Sequence, residues 1–194
     1  VVTLDKYIWQ SVASWLRTRL DQGLPVVPIS LNVSRVNILA CDVAEHMSSL
    51  ATQYNLPPEL MRIEITETAY TGESEAVDRL TAELHNRGFS TYMDDFGTGQ
   101  STLAMLKNVN VDVIKLDRTF VPAGKADERS TQIVSSMLGM AQSLHLPVVV
   151  EGVETEAQAQ LLRQMGARYA QGFLYYRPMP AADFEELLDS KVAD

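Results

Sequence analysis

A short apolar run followed by a helical pattern recurs along the whole chain, and that repetition is what most restricts its fold. The runs are PVVPISLNV (25–33), LMRIEIT (60–66), GFSTYMD (88–94), VDVIKLD (111–117), LPVVVEG (146–152) and ARYAQG (167–172). They are rich in β-branched and aromatic residues, and Gly or Pro flanks several of them, as expected of strands. Between them lie stripes at helical spacing: Ile8, Val12, Trp15 and Leu16; then Val77, Leu80 and Leu84; then Ile133, Val134, Met137, Leu138 and Ala141. Thr155 with Gln158 reads as a capping box opening a helix that carries Leu161, Leu162 and Met165. Strands alternating with helices imply parallel pairing and an α/β fold. A complete (β/α)8 barrel has about 250 residues, or about 31 per unit. The 194 residues here therefore hold about six units, matching the six runs. The expected architecture is a (β/α)8 barrel short of its opening elements, or a smaller open parallel sheet.

Nearly every run ends in a polar residue. Asn32 closes the first, Glu64 and Glu67 fall at the end of the second, and Asp94 and Asp95 close the third. Lys115 and Asp117 close the fourth, Glu151 the fifth with Glu154 just beyond, and Gln171 the sixth. In a parallel barrel these strand ends share one face, where active sites lie, and an open parallel sheet puts its ligand crevice at the same ends. Each group has an ordinary structural reading when taken singly. Paired Asp before a Gly loop marks a turn, a lysine forms a surface ion pair, and Glu at a helix start complements the helix dipole. Their repetition at corresponding ends is what favours a site.

Neighbouring strand residues point to opposite faces. Asp94 and Asp95 can therefore converge only if the strand stops at Asp94 and the loop turns Asp95 inward, a turn that Gly97 and Gly99 permit. Converging carboxylates repel unless a cation lies between them. An oxygen-rich donor set suits Mg²⁺ or Mn²⁺, and two such ions stand about 3.5–4 Å apart in two-metal hydrolases. His46, His85 and His145 lie far apart in helical stretches without metal-ligand spacing, and the eight Met residues read as packing. The formal net charge of −9 argues against a nucleic-acid polymer as partner but not against a small anion held through metal ions. The single cysteine, Cys41, fits a reducing compartment, and no apolar run is long enough to span a membrane, so a cytoplasmic domain is expected. A parent protein could still be anchored through other segments. The first residue, Val1, is not Met, so the chain is expected to be part of something longer.

The pieces LNVS, EITE, DDFGTG, IKLD, EGVE and QGFLYYRPMP, in this order from about residue 4 to the C-terminus, resemble the EAL domain, the bacterial cyclic-di-GMP phosphodiesterase family. The resemblance implies a modified TIM barrel, here with about six of its strands, as one domain over residues 1–194. It implies two divalent cations, Mg²⁺ or Mn²⁺, and hydrolysis of cyclic-di-GMP to linear pGpG. Asn32, Glu64 and Asp94 would hold one ion, and Asp94 would bridge to a second held by Asp95 and Glu151. Lys115 resembles the lysine that contacts the catalytic water, and Glu67 the glutamate that steadies the DDFGTG loop. Glu154 and Gln171 match site-lining positions. A homodimer, and a sensory or cyclase domain upstream in the parent, are further expectations from the family.

Two departures stand out. The Glu-Ala-Leu motif on an early strand, whose glutamate is a metal ligand in the family, is not found, so the chain is expected to begin at the helix after that strand. Gln100 stands where the family usually has an aromatic residue, which bears on loop closure and dimer coupling. Without the opening strands, the runs at 25–33 and 167–172 would be open edges, and this stretch alone is expected to be poorly soluble, self-associated or complemented by another chain, and to be inactive. The alternative function is a catalytically inactive EAL-type cyclic-di-GMP receptor. A third is another metal-dependent barrel enzyme acting on a phosphate ester.

Overall fold

The computed structural model describes residues 1–72, 74–98, 110–122 and 127–192. Gly99 and Gln100, to which the expectations above assign loop turning and dimer coupling, lie outside the described residues. The elements are α1 (Val2–Asp21), β1 (Ile29–Val33), α2 (Arg35–Ala40), α3 (Val43–Gln53), β2 (Met61–Thr66), α4 (Glu67–Gly72), α5 (Ser74–Asn86), β3 (Ser90–Phe96) and β4 (Val113–Leu116). They continue with α6 (Glu128–Ser143), β5 (Val148–Val150), α7 (Glu156–Gln164), β6 (Tyr169–Ala170) and α8 (Ala181–Val192). Every apolar run holds one strand, β3 extending two residues past the end of its run. The strands form a six-stranded sheet in chain order, β1-β2-β3-β4-β5-β6, so β1 and β6 are its edges. The fold is α/β with parallel strands, of TIM-barrel type, and among the described residues the sheet does not close.

The chain divides into two compact units. The first comprises Val1–Ile65, Glu73–Thr91 and Pro178–Asp194. In it β1 pairs with β2 in parallel, with Leu31 opposite Ile63, Asn32 opposite Glu64 and Val33 opposite Ile65. Leu31, Val33, Ile63 and Ile65 are buried, so by alternation Asn32 and Glu64 share the opposite face. The core of this unit adds Met47 and Leu50 from α3 and Val77, Leu80 and Leu84 from α5, the last three being the expected stripe.

The stripe read for α1 is displaced. Its buried residues are Trp9, Ala13, Leu16 and Arg19, while Ile8 is 45% exposed. Ile8 and Trp9 are adjacent and differ by about 100° around the helix, so hydrophobicity alone did not separate the two faces. Trp15 instead reaches α8, donating from Nε1 to Glu185 Oε1 (2.6 Å), and the Arg19 guanidinium pairs with Asp189.

The second unit comprises Thr66–Gly72 and Tyr92–Arg177. β3, β4, β5 and β6 pair in parallel, and Met93, Ile114, Leu116 and Val150 are buried. Helix α6 buries Val134, Leu138 and Ala141 but leaves Ile133 41% exposed, so only part of its expected stripe is core. The Thr155–Gln158 capping box forms as expected at the start of α7. His145 lies just after α6 with φ +58 rather than within a helix. Among the described residues no helix is long and apolar enough to cross a membrane.

His46, on α3, packs its ring against Trp9 (centroids 5.7 Å apart) and leaves Nε2 buried without a hydrogen-bond partner among the described residues. Burial, and then the Lys6 ammonium, hold its pKa below the ordinary 6.5. The unfolded chain therefore binds this proton more tightly than the folded one, and stability falls as pH drops below the ordinary value. In urea titrations between about pH 8 and pH 5, His46→Phe should lose less stability on acidification than the unsubstituted protein. Parallel losses would show that His46 contributes nothing to the acid sensitivity.

Candidate metal and phosphodiester site

The two adjacent aspartates are brought together by a local distortion of β3. The strand does not stop at Asp94, as the sequence suggested, but continues to Phe96. Its register with β4 shifts between Met93, opposite Ile114, and Phe96, opposite Leu116. Within that shift Asp95 adopts φ +56, a left-handed conformation that Asp tolerates better than most residues. A bulge of this kind re-aims a side chain without ending the ladder. Side-chain oxygens of Asp94, Asp95 and Glu151 consequently lie within 4.8 Å of one another.

Lys115, on β4, sits among them. Its Nζ is 2.8 Å from Asp94 Oδ1 and 2.8 Å from Glu151 Oε1, and its side chain is only 8% exposed. Burial, then the Asp94 charge, raise the Asp95 pKa above its ordinary value, with Lys115 acting the other way. A site that disfavours its own carboxylate charge is one that a cation would relieve. The donors are carboxylate oxygens with no thiol or imidazole among them, and a hard divalent ion such as Mg²⁺ or Mn²⁺ fits this set.

Three backbone devices hold these groups. Glu67 opens α4, is fully buried, and accepts the Gly97 N–H at Oε2 (2.7 Å), which ties the start of the loop after β3. Gly97 has φ +98, and a Cβ there would strike the Phe120 ring. The Glu151 N–H continues the ladder onto Leu116 O (2.9 Å), and Gly152, at φ +71, then turns the chain. A Cβ on Gly152 would collide with Arg118, whose Cα would be 3.2 Å away. Sequence reasoning did not single out Gly152. A glycine directly after the last polar residue of a strand was the available signal.

The other expected residues fall in different places. Asn32 and Glu64 are register partners in the first unit, Asn32 exposed and Glu64 7% exposed. Glu154 and Gln171 are exposed. The Gln171 backbone is clipped on both sides, its N–H to Val150 O (2.8 Å) and its carbonyl to Val153 N–H (3.0 Å). Asp117 caps the short 3-10 turn Arg118–Phe120 by accepting the Thr119 N–H (2.9 Å). Burial works to raise its pKa, but hydrogen bonds from Thr119 and the Arg118 backbone bring it below the ordinary carboxylate value.

The family model of the EAL domain matches residues 1–178. This chain belongs to the EAL-domain family. It is 38% identical over 183 residues to the cyclic di-GMP phosphodiesterase RocR of Pseudomonas aeruginosa, covering 93% of this chain and 47% of that protein. Other curated relatives are longer, and this chain spans about a quarter to a half of their length. Among solved structures, the EAL domain of Mycobacterium smegmatis DcpA superposes with a TM-score of 0.88 at 30% identity, over 96% of this chain and 84% of that one. A cyclic-di-GMP complex of the phosphodiesterase PaMucR gives 0.85 at 30% identity, over 94% and 80%. RocR and PaMucR are both cyclic-di-GMP phosphodiesterases.

Gly23 and Gly152 have similar positive φ (+69 and +71), but a Cβ at Gly23 meets nothing within 4 Å. Both Ala substitutions should cost backbone strain of about 1 kcal/mol, and Gly152→Ala should cost roughly 2 kcal/mol more through displacement of Arg118. Urea unfolding of the two variants measures the difference, and equal losses would remove the steric role assigned to Gly152.

Proposed function

We propose that the domain hydrolyses cyclic-di-GMP to linear pGpG using two divalent cations, Mg²⁺ or Mn²⁺. The observation that carries this reading is the buried Lys115 ammonium bridging Asp94 and Glu151 beside Asp95, in a chain of the EAL family. The reaction adds one water across one phosphodiester bond, leaving a 5′-phosphate and a free 3′-hydroxyl.

Asp94, Asp95 and Glu151 would hold the cations, with Asn32 and Glu64 completing the ligand set. Their donors are all oxygen, and Asn32 and Glu64 already stand opposite each other on one face of paired strands. When bound, the cations supply Lewis acidity, making water more acidic and offsetting charge that grows on the phosphoryl oxygens. Lys115 contributes a donor and a positive charge that orient the attacking water. Asp95 and Glu151 hold that water and accept its hydrogen bonds. Glu67 keeps the Asp94–Asp95 turn in place through Gly97, and Glu154 with Gln171 line the substrate. Metal charge would also let an acidic protein accept an anionic dinucleotide. Homodimerisation and regulation by a sensory or cyclase domain of a longer parent complete the proposal.

The test is incubation with cyclic-di-GMP and Mn²⁺, with pGpG followed by chromatography. Product should form in a chain that also carries the early Glu-Ala-Leu strand. Binding without product in that chain, under any divalent ion, would favour a receptor. Asp94→Ala should reduce turnover by at least about 100-fold and weaken Mn²⁺ binding measured by calorimetry. Unchanged turnover would remove Asp94 from the metal set. Glu67→Ala should lower activity by about 10-fold while leaving Mn²⁺ bound, and Glu67→Gln, which keeps an acceptor for the Gly97 N–H, should recover most of it. Equal losses in the two variants would assign the effect to charge rather than to loop positioning.

A further inference from the structure

We infer that Trp9 is a positioning residue for Asn32, acting through the backbone of β1; the inference rests on the proposed role of Asn32 as a metal ligand. The Trp9 side chain is 1% exposed, and its indole N–H donates to the Asn32 carbonyl oxygen at 3.1 Å. β1 is an edge strand, so half of its peptide groups have no ladder partner from another strand. A carbonyl near the end of such a strand can take several orientations unless a donor holds it, and Trp offers one donor at a fixed place on a rigid ring.

That donor is itself held firmly. Trp9 is the first of the buried residues Trp9, Ala13 and Leu16 along α1, and its ring packs against His46 of α3. The Asn32 side chain is exposed on the face shared with Glu64. Within the extended backbone of β1, holding this carbonyl restricts ψ at Asn32 and so constrains the direction of its Cα–Cβ bond. The Trp9 N–H therefore sets where the Asn32 amide oxygen is presented, linking an outer helix to a ligand on the sheet. Outer partners of metal ligands commonly contribute about 10- to 100-fold in metal affinity.

The experiment is a double-mutant cycle read by Mn²⁺ calorimetry, with unfolding temperature recorded for every variant. Trp9→Phe keeps an aromatic ring and removes the N–H. Incorporation of benzothienylalanine at position 9 keeps the bicyclic shape and removes only the N–H, so it serves if the Phe variant folds poorly. Asn32→Ala should weaken Mn²⁺ binding, and each position 9 variant alone should weaken it by about 10-fold, the benzothienylalanine protein at near-unchanged unfolding temperature. Added to Asn32→Ala, the position 9 change should have no further effect. Unchanged affinity in the benzothienylalanine protein, with Asn32→Ala still weakened, overturns the inference and leaves the ligand assignment standing. Additive losses also overturn it, because Trp9 would then act by a route other than Asn32. Unchanged affinity in Asn32→Ala defeats the ligand assignment first, and the inference with it.

Discussion

Like charges do not gather in a folded protein unless something opposes their repulsion. Asp94, Asp95 and Glu151 present oxygens within 4.8 Å of one another, and their common counter-charge in the protein is Lys115. One ammonium against three carboxylates leaves the cluster short of balance, and the Asp95 pKa is raised, first by burial and then by the Asp94 charge. The rest of the second unit can be understood as what is needed to keep this arrangement from relaxing. Lys115 is nearly buried on a central strand, where it cannot swing away into solvent. Asp94 is held by that lysine, and Glu151 by the same lysine and by its own backbone bond to Leu116.

The backbone carries much of the remaining cost. Asp95 takes a left-handed conformation inside a register shift, and Gly97 and Gly152 take positive φ where a side chain would meet Phe120 or Arg118. Such conformations persist only when their surroundings over-determine them. The surroundings here are specific: a fully buried Glu67 accepting the Gly97 N–H, and a 3-10 turn capped by Asp117 that places both Arg118 and Phe120. Asp117 thus serves the site indirectly, although its position at a strand end resembles that of a ligand.

Much of this was legible in the sequence, and the exceptions have physical causes. All six strands were marked by apolar runs, because strands buried between helices are nearly continuously apolar. The carboxylates and lysine were marked by their position at strand ends. The bulge at Asp95 was not legible, since a strand that bends and a strand that stops look alike in hydrophobicity. The buried face of α1 was misplaced because Ile8 and Trp9 are both apolar and adjacent, so only packing against neighbouring elements could choose between them. Asp117 was grouped with Lys115 because the two alternate along the run. Its bond to the Thr119 N–H depends on a turn that the sequence announces only weakly. The hydrogen bond from Trp9 to Asn32 joins residues 23 apart and leaves no periodic trace.

Charge balance also bears on why the proposed chemistry would call for two cations rather than one. The cluster of three carboxylates and one lysine lacks two positive charges. A single divalent ion would bring it to neutrality and leave no attraction for a phosphodiester. Counting the buried Glu64 into the ligand set deepens the deficit by one, so a second divalent ion would be needed before the site turns positive. Replacing Lys115 by a neutral residue would not remove this requirement but increase it, because the same carboxylates would then have no internal partner. A fixed lysine thus has one effect in this geometry and would have a second under the proposed function: it ties Asp94 to Glu151, and it would bring a metal-loaded site closer to the sign that an anionic substrate requires.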